Sequence, residues 1–300
     1  MVMAATRQLV VCVDDFGLHA GVNQAVLDLL GQRRISAVSC LVDGETWARD
    51  AAALKVAAYA SEPAGGAGQT GRQADIGLHL NLTECLDPVA QAAWPSQPLG
   101  ALIQAAYWRR LDPAALRIEI ARQWDRFVAV WGQAPDFVDG HQHVHQLPQV
   151  REALMAVLDS RLAAGAARPW LRRCRAPGWR AIWQGISVAD TLKAHIISVL
   201  GSAALARLAR ARGLRTTEHL LGVYPFDADA PAYLSRWQGW LQLARPQGDL
   251  LMCHPAKPGV AAGPVEDVIA ASRAMEYQVL TGAEWERLLV RASVRVTTLA

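Results

Sequence analysis

Five short apolar runs are spaced along the chain, each bounded by polar or turn-forming residues. They are Leu9–Val13, Ser36–Val42, Ile76–Leu82, Phe137–Asp139 and Leu250–Cys253. Continuous apolar runs of this length predict strands that are buried on both faces, as in parallel sheets. Helix-like segments separate them, which is typical of repeated βα units. The pattern therefore predicts an α/β fold.

Four segments between or after these runs have the apolar spacing of helices and a glycine at the end. They are Val22–Leu30 before Gly31, the segment from Asp112 to Trp131 before Gly132, Gln149–Ala164 before Gly165, and Ala189–Arg212 before Gly213. Asp112 and Pro113 are residues favoured at an N-cap and at the first helical position. Two irregular stretches, near 61–74 and 85–112, predict insertions in one catalytic domain that we expect to cover residues 1–300.

The composition is that of a globular chain, with 52% hydrophobic and 19% charged residues and a formal net charge of +3. So small a net charge gives no argument for a nucleic-acid partner. The five cysteines form no Cys-x-x-Cys pair, which disfavours a disulfide framework and a cysteine zinc site. Without an apparent leader or membrane-length run, we expect a cytoplasmic protein that does not insert into a membrane. A homodimer is suggested by base rate alone.

Four of the apolar runs carry or precede acidic or histidine side chains. Asp14 and Asp15 follow the first run, His79 lies within Ile76–Leu82, and His254 follows the last. Residues 139–145, Asp-Gly-His-Gln-His-Val-His, hold three histidines at alternate positions. An extended segment would put all three on one face, and a helical one would align the outer two. Since imidazole is the commonest side-chain ligand of transition metals, the pattern predicts a metal-dependent hydrolase.

Taken together, four motifs resemble those of the YdjC-like carbohydrate deacetylases. The motifs are Asp14 to Gly17, Gly77 to Thr83, Asp139 to His145, and the pair His254 and Pro255. Their order and character agree from residue 9 to about residue 280. The family includes diacetylchitooligosaccharide deacetylases and the deacetylase associated with hopanoid biosynthesis. The resemblance implies a distorted (β/α) barrel related to polysaccharide deacetylases, with a metal site at the C-terminal ends of the strands.

The resemblance also implies roles for individual residues. Asp15, His79 and His141 would hold one divalent metal ion, with zinc or magnesium as the leading candidates. Asp14 would act as the general base, and His254 would protonate the leaving amine. The implied reaction removes the N-acetyl group from an acetamido sugar, part of an oligosaccharide or a glycolipid, and releases acetate.

Other residues are candidates for the surroundings of this site. Candidates for contact with the acetylated amino-sugar substrate are His145, Arg175, Trp94 and Trp108. Candidates for orienting a ligating imidazole are Asp139 and His143.

Two groups of charged residues have ordinary structural explanations. The densest basic cluster, at Arg172, Arg173 and Arg175, is expected to be a solvated face. Arg273 and Glu276 resemble the family's C-terminal Arg-x-x-Glu pattern and are candidates for the site, with an i,i+3 salt bridge on a helix as the structural alternative.

Two other functions stay open. One is a different metallohydrolase on a similar barrel that cleaves a phosphoester or a cyclic amide, and the other is a non-catalytic metal- or sugar-binding protein. A site for two metals would need more ligands, and a binding protein need not keep Asp14 and His254. Residues 177 to 225 match no family motif, and we expect substrate choice to reside there.

Overall fold

The structure is a computed structural model that describes residues 6–59, 71–162, 167–227, 229–260 and 267–299. The strands in these ranges are β1 (Arg7–Phe16), β2 (Ala37–Cys40), β3 (Asp75–Leu80), β4 (Phe137–Gly140), β5 (Trp170–Leu171), β6 (Leu220–Leu221), β7 (Asp249–Cys253) and β8 (Val294–Val296). The α-helices are α1 (Ala20–Gly31), α2 (Trp47–Ala58), α3 (Leu99–Tyr107), α4 (Pro113–Trp131), α5 (Val150–Arg161), α6 (Val188–Val199), α7 (Ser202–Ala211), α8 (Ala230–Leu243), α9 (Ala270–Thr281) and α10 (Ala283–Arg291).

The strands form one parallel sheet with β1 near its centre. Their order is β5-β4-β3-β2-β1-β7-β6, and β8 pairs with the first residues of β1. At the two ends of this order, an isolated parallel bridge joins Leu171 of β5 to Thr216, a few residues before β6. The sheet therefore curls round towards closure. This arrangement confirms the predicted α/β fold and its distorted barrel form.

The best-signalled helix, α4, begins and ends where the sequence predicts. The side chain of Asp112 accepts a hydrogen bond from the backbone N–H of Ala114 at 2.8 Å, and Gly132 ends the helix with a φ of 85°. Helix α1 runs one residue further than predicted and includes Gly31. Helix α5 ends at Arg161, before the predicted Ala164, and Leu162 is extended. Gly165 lies outside the described residues, as does most of the 61–74 stretch.

Two predicted segments differ from the structure. The irregular stretch at 85–112 contains a helix, α3, which begins directly after Pro98. The single helix predicted over Ala189–Arg212 is two helices, α6 and α7, bent by 43° at Gly201. In the described part of the chain no single helix is long and apolar enough to cross a membrane, and α6 with α7 passes that test only as a bent pair.

The break between α6 and α7 has a steric cause, and we expect Gly201→Ala to lower the free energy of unfolding by about 2–3 kcal/mol. Gly201 has a φ of 149°, and a Cβ there would lie 1.9 Å from the carbonyl oxygen of Gln146. Urea denaturation measures the change. Gly31→Ala is the control because a Cβ on Gly31 meets nothing within 4 Å. Equal stability of the two variants would contradict the prediction.

Candidate active site

The carboxyl ends of β1, β3, β4 and β7 meet beside a cavity of ≈ 340 Å³. Since these strands are parallel, their carboxyl ends bring together residues from motifs that are distant in the sequence. The cavity is lined by the five residues to which the resemblance gave the metal and the proton transfers: Asp14, Asp15, His79, His141 and His254.

A bulge in β1 lets two neighbouring aspartates reach the same cavity. Successive side chains of a regular strand face opposite sides of the sheet. The pairing of β1 with β2 shifts register between Val13 and Phe16, and Asp15 has a φ of 70°. This backbone conformation is costly for a residue with a side chain, and such conformations are concentrated at functional sites. As a result, both Asp14 and Asp15 line the cavity.

Asp15, His79 and His141 form a cluster whose ligand atoms all lie within 4.8 Å of one another. Asp15 Oδ1 is 3.4 Å from His79 Nε2 and 3.2 Å from His141 Nδ1. The other oxygen of Asp15 is 2.7 Å from Nη2 of Arg273. One carboxylate oxygen and two imidazole nitrogens are a donor set that suits a divalent metal ion. The residues present therefore fit such an ion.

A second group of candidate ligands, Cys12, Asp14 and Asp139, is occupied by the side chain of Arg172. The guanidinium lies 2.5 Å from Asp14 Oδ1, 2.6 Å from Asp139 Oδ2 and 3.0 Å from Cys12 Sγ. Arg172 is fully buried, so its expected place on a solvated face was wrong. Because the buried cation already contacts both carboxylates, this group is an ion-pair network.

Asp14 and His254 have pKa values that are shifted by burial and by their neighbours. Burial alone would raise the pKa of Asp14, but the Arg172 guanidinium holds it well below its usual range. His254 Nε2 is 3.8 Å from Asp14 Oδ2. Burial lowers the pKa of His254 to about 4. Near neutral pH the free protein therefore has an ionised Asp14 beside a neutral imidazole.

The carboxylate of Asp139 holds the imidazole of His79 in place. Its Nδ1 is 2.6 Å from Asp139 Oδ1, and the hydroxyl of Ser39 donates to the same oxygen at 2.5 Å. Burial alone would lower the pKa of His79, but Asp139 raises it to about 10. This contact leaves Nε2 of His79 facing Asp15. It is the contact that a positioning role for Asp139 requires.

The three histidines after β4 point in different directions. Residues His141–Gln146 form a 3-10 helix in which Gln142 and His143 have φ values of 51° and 62°. The segment is therefore neither extended nor a regular helix. His141 faces Asp15, and its Nε2 is 3.0 Å from Glu84. His143 lines the cavity.

The four residues predicted to touch the substrate are not among those that line the cavity. His145 is fully buried, and its Nε2 contacts the backbone oxygen of Arg172 at 2.7 Å. Trp94 is also buried, and its indole N–H donates a hydrogen bond to the backbone carbonyl of Leu82. Arg175 and Trp108 are exposed elsewhere. Direct contact of these four side chains with the substrate therefore stays a prediction.

Arg273 and Glu276 make separate contacts in place of a salt bridge between them. Arg273 pairs with Asp15 and, at 2.8 Å, with Asp267. Glu276 accepts the backbone N–H of His254 at 2.6 Å. Both residues of α9 thus hold parts of the site in position.

Sequence reasoning missed several residues that line the cavity. Glu84 follows the Gly77–Thr83 motif directly, and that adjacency was the one available signal. Asp267 carried no signal. Apolar lining residues include Leu18, Leu99, Ile197, Leu200, Val223 and Phe226.

Comparisons with known proteins agree with the motifs. A chitooligosaccharide deacetylase from Serratia marcescens is 31% identical over 158 residues, covering 48% of this chain and 53% of that protein. A carbohydrate deacetylase from Danio rerio is 34% identical over 160 residues, covering 50% of this chain and 46% of that protein. The chain thus spans about half the length of the curated relatives it matches.

The fold also has a solved counterpart. A structure from Enterococcus faecalis V583, named for cellobiose-phosphate cleavage, superimposes with a TM-score of 0.62 at 15% identity, over 98% of this chain and 97% of that one. A likeness at so low an identity shows the fold alone. The family model described as YdjC-like protein matches residues 8–291, nearly the whole chain, and the chain therefore belongs to the YdjC-like protein family.

Proposed function

We propose that the protein is a metal-dependent hydrolase that removes the N-acetyl group from an acetamido sugar. The proposal rests on the observation that two features lie together in one cavity. A donor set suited to a divalent ion stands beside Asp14, an ionised carboxylate, and His254. The names of the relatives, chitooligosaccharide deacetylase and carbohydrate deacetylase, support the reaction and the substrate class.

In the proposed reaction the chain's own residues handle the protons. A divalent ion held by Asp15, His79 and His141 would supply polarisation of the acetyl carbonyl and a lowered pKa for water. Asp14 accepts one proton from the attacking water, whose oxygen ends in acetate. That proton passes from Asp14 to the neutral imidazole of His254, 3.8 Å away, and the imidazolium so formed gives it to the sugar nitrogen as the C–N bond breaks. The second product is a free amino sugar.

The contact with Arg273 gives the two carboxylate oxygens of Asp15 different surroundings. One oxygen is held by the guanidinium at 2.7 Å, and the other, Oδ1, faces both His79 and His141. This leaves Oδ1 for the ion and limits rotation of the carboxylate. Two imidazoles in the set favour zinc or another transition metal over magnesium, which prefers oxygen ligands.

Acetate release tests the proposal directly. The purified chain is incubated with N-acetylated mono- and oligosaccharides and with acetamido glycolipids, before and after chelation. We expect acetate from at least one member, its loss on chelation, and its return when a divalent ion is added. A filled metal site without acetate from any substrate would contradict the proposal. A phosphoester or cyclic-amide hydrolase, or a binding protein, would then be favoured.

A further inference from the structure

Helix α6 has an apolar stripe that no part of the described chain covers. Val188, Leu192, Ile196 and Val199 recur every three or four residues, so they share one side of the helix. Their exposed fractions are 60%, 49%, 52% and 77%. Scattered exposed apolar residues are ordinary, but a contiguous row marks a contact surface.

Aromatic side chains extend this stripe at both ends. Before α6, a 3-10 helix at Trp179–Gln184 exposes 86% of Trp183, and the ring of Trp179 stacks on His195 at 4.4 Å. Beyond α6, the hydroxyl of Tyr107 donates to the backbone oxygen of Val199 at 3.5 Å. The neighbouring Trp108 is 66% exposed. We call this surface the α6 face, and it comprises Trp183, Val188, Leu192, Ile196, Val199 and Trp108.

Basic residues outnumber acidic ones in the segment that contains the α6 face. Residues 176–217 include six Lys or Arg and one acidic residue, Asp190, which is buried and paired with Arg236. Arg109 and Arg110 follow Trp108 in the chain, Arg180 follows Trp179, and all three are exposed. Within the described ranges, no carboxylate lies at ion-pair distance from these three arginines. The surface is therefore apolar with a basic rim.

We propose that the α6 face docks the protein on the surface of an anionic lipid bilayer. Interfacial helices bury an apolar side at the level of the headgroups, where tryptophan is favoured, and basic residues attract anionic lipids. This mode of binding does not require a helix that spans the membrane. The combination of an apolar stripe, exposed tryptophans and arginines without a carboxylate partner matches each of these requirements.

A second copy of the chain fits this surface less well. In a two-fold contact the same patch meets itself, so the basic rims of both copies would approach each other. Like charges brought together in this way cost free energy, whereas an anionic bilayer complements them.

Docking through this face would hold the cavity beside the bilayer. Lys193, Ile197 and Leu200 line the cavity, and their helical positions lie next to the exposed stripe on α6. One helix therefore contributes both to the proposed membrane contact and to the cavity wall.

Vesicle sedimentation tests the proposal without any use of catalysis. The full chain is mixed with vesicles of phosphatidylcholine and phosphatidylglycerol, and with vesicles of phosphatidylcholine alone. We expect preferential binding to the anionic vesicles that weakens with added salt. The double variant Trp183→Ser and Val199→Ser should bind about tenfold more weakly or worse, because it removes apolar groups from the membrane contact.

The matched control is the double variant Val56→Ser and Val290→Ser, which changes residues that are 75% and 78% exposed outside the α6 face. We expect this control to bind like the wild type. Absence of wild-type binding to anionic vesicles at low salt would overturn the proposal, and so would an equal loss in both double variants. Analytical ultracentrifugation gives a further check. A dimer that dissociates only in the Trp183→Ser and Val199→Ser variant would assign the face to a second copy.

Discussion

Asp14→Asn is expected to lower kcat for acetate release by about 10²- to 10⁴-fold. Asparagine has nearly the size of aspartate, but its amide cannot accept the proton of the attacking water. Because this transfer belongs to the transition state, we expect kcat to fall far more than KM changes. Steady-state kinetics near neutral pH measure the effect on whichever acetamido sugar the wild type hydrolyses best.

His254→Gln is the variant to compare with Asp14→Asn, because it changes the site but leaves the ion pair of Asp14 and Arg172 intact. The backbone N–H of residue 254 can still donate to Glu276. Circular dichroism and metal content show whether each variant remains folded and able to hold an ion. If a folded, metal-bound Asp14→Asn variant kept kcat within about threefold of the wild type, Asp14 would not be the general base.

Much of the sheet was predictable because strands buried on both faces have continuous apolar sequences. The runs at Leu9–Val13 and Leu250–Cys253 became β1 and β7 with slightly different ends. β5 and β6 have only two residues each and no sequence pattern of their own. They depend on partners that are distant in the sequence. The break at Gly201 likewise depends on the nearby Gln146 carbonyl, which local propensity cannot reveal.

Parallel strand ends meet at one edge of a sheet, and this made the clustering of Asp15, His79 and His141 predictable from their positions. The partners of these residues were not predictable in the same way. Arg172 reaches Asp14 across 158 positions of sequence, and Arg273 reaches Asp15 across 258. Direct substrate contacts were harder still, because aromatic and basic residues in irregular segments give no signal of which way they face.

Replacement of Arg172 is the substitution for which we expect the largest loss of stability. Arg172→Met should lower the free energy of unfolding near pH 7 by about 3–5 kcal/mol, since it leaves the buried carboxylates of Asp14 and Asp139 without their cation. Urea denaturation of chelator-treated protein measures the change without a contribution from bound metal. Arg161→Met is the control, because its ion pair with Asp125 is exposed and should contribute less than about 1 kcal/mol.

The pH dependence of the stability difference between wild type and Arg172→Met shows whether the loss comes from the missing charge or from the missing packing. Burial alone would raise the pKa of Asp14, but Arg172 holds it below the ordinary value of 3.8. A pKa that is lower in the folded state adds stability above that ordinary value, and the contribution is lost as the pH falls towards the folded-state pKa. Without Arg172 the buried carboxylate of Asp14 binds a proton more readily on folding. The difference in stability between wild type and Arg172→Met should therefore shrink as the pH falls from about 7 to about 4. A difference that stays constant over this range would assign the loss to packing.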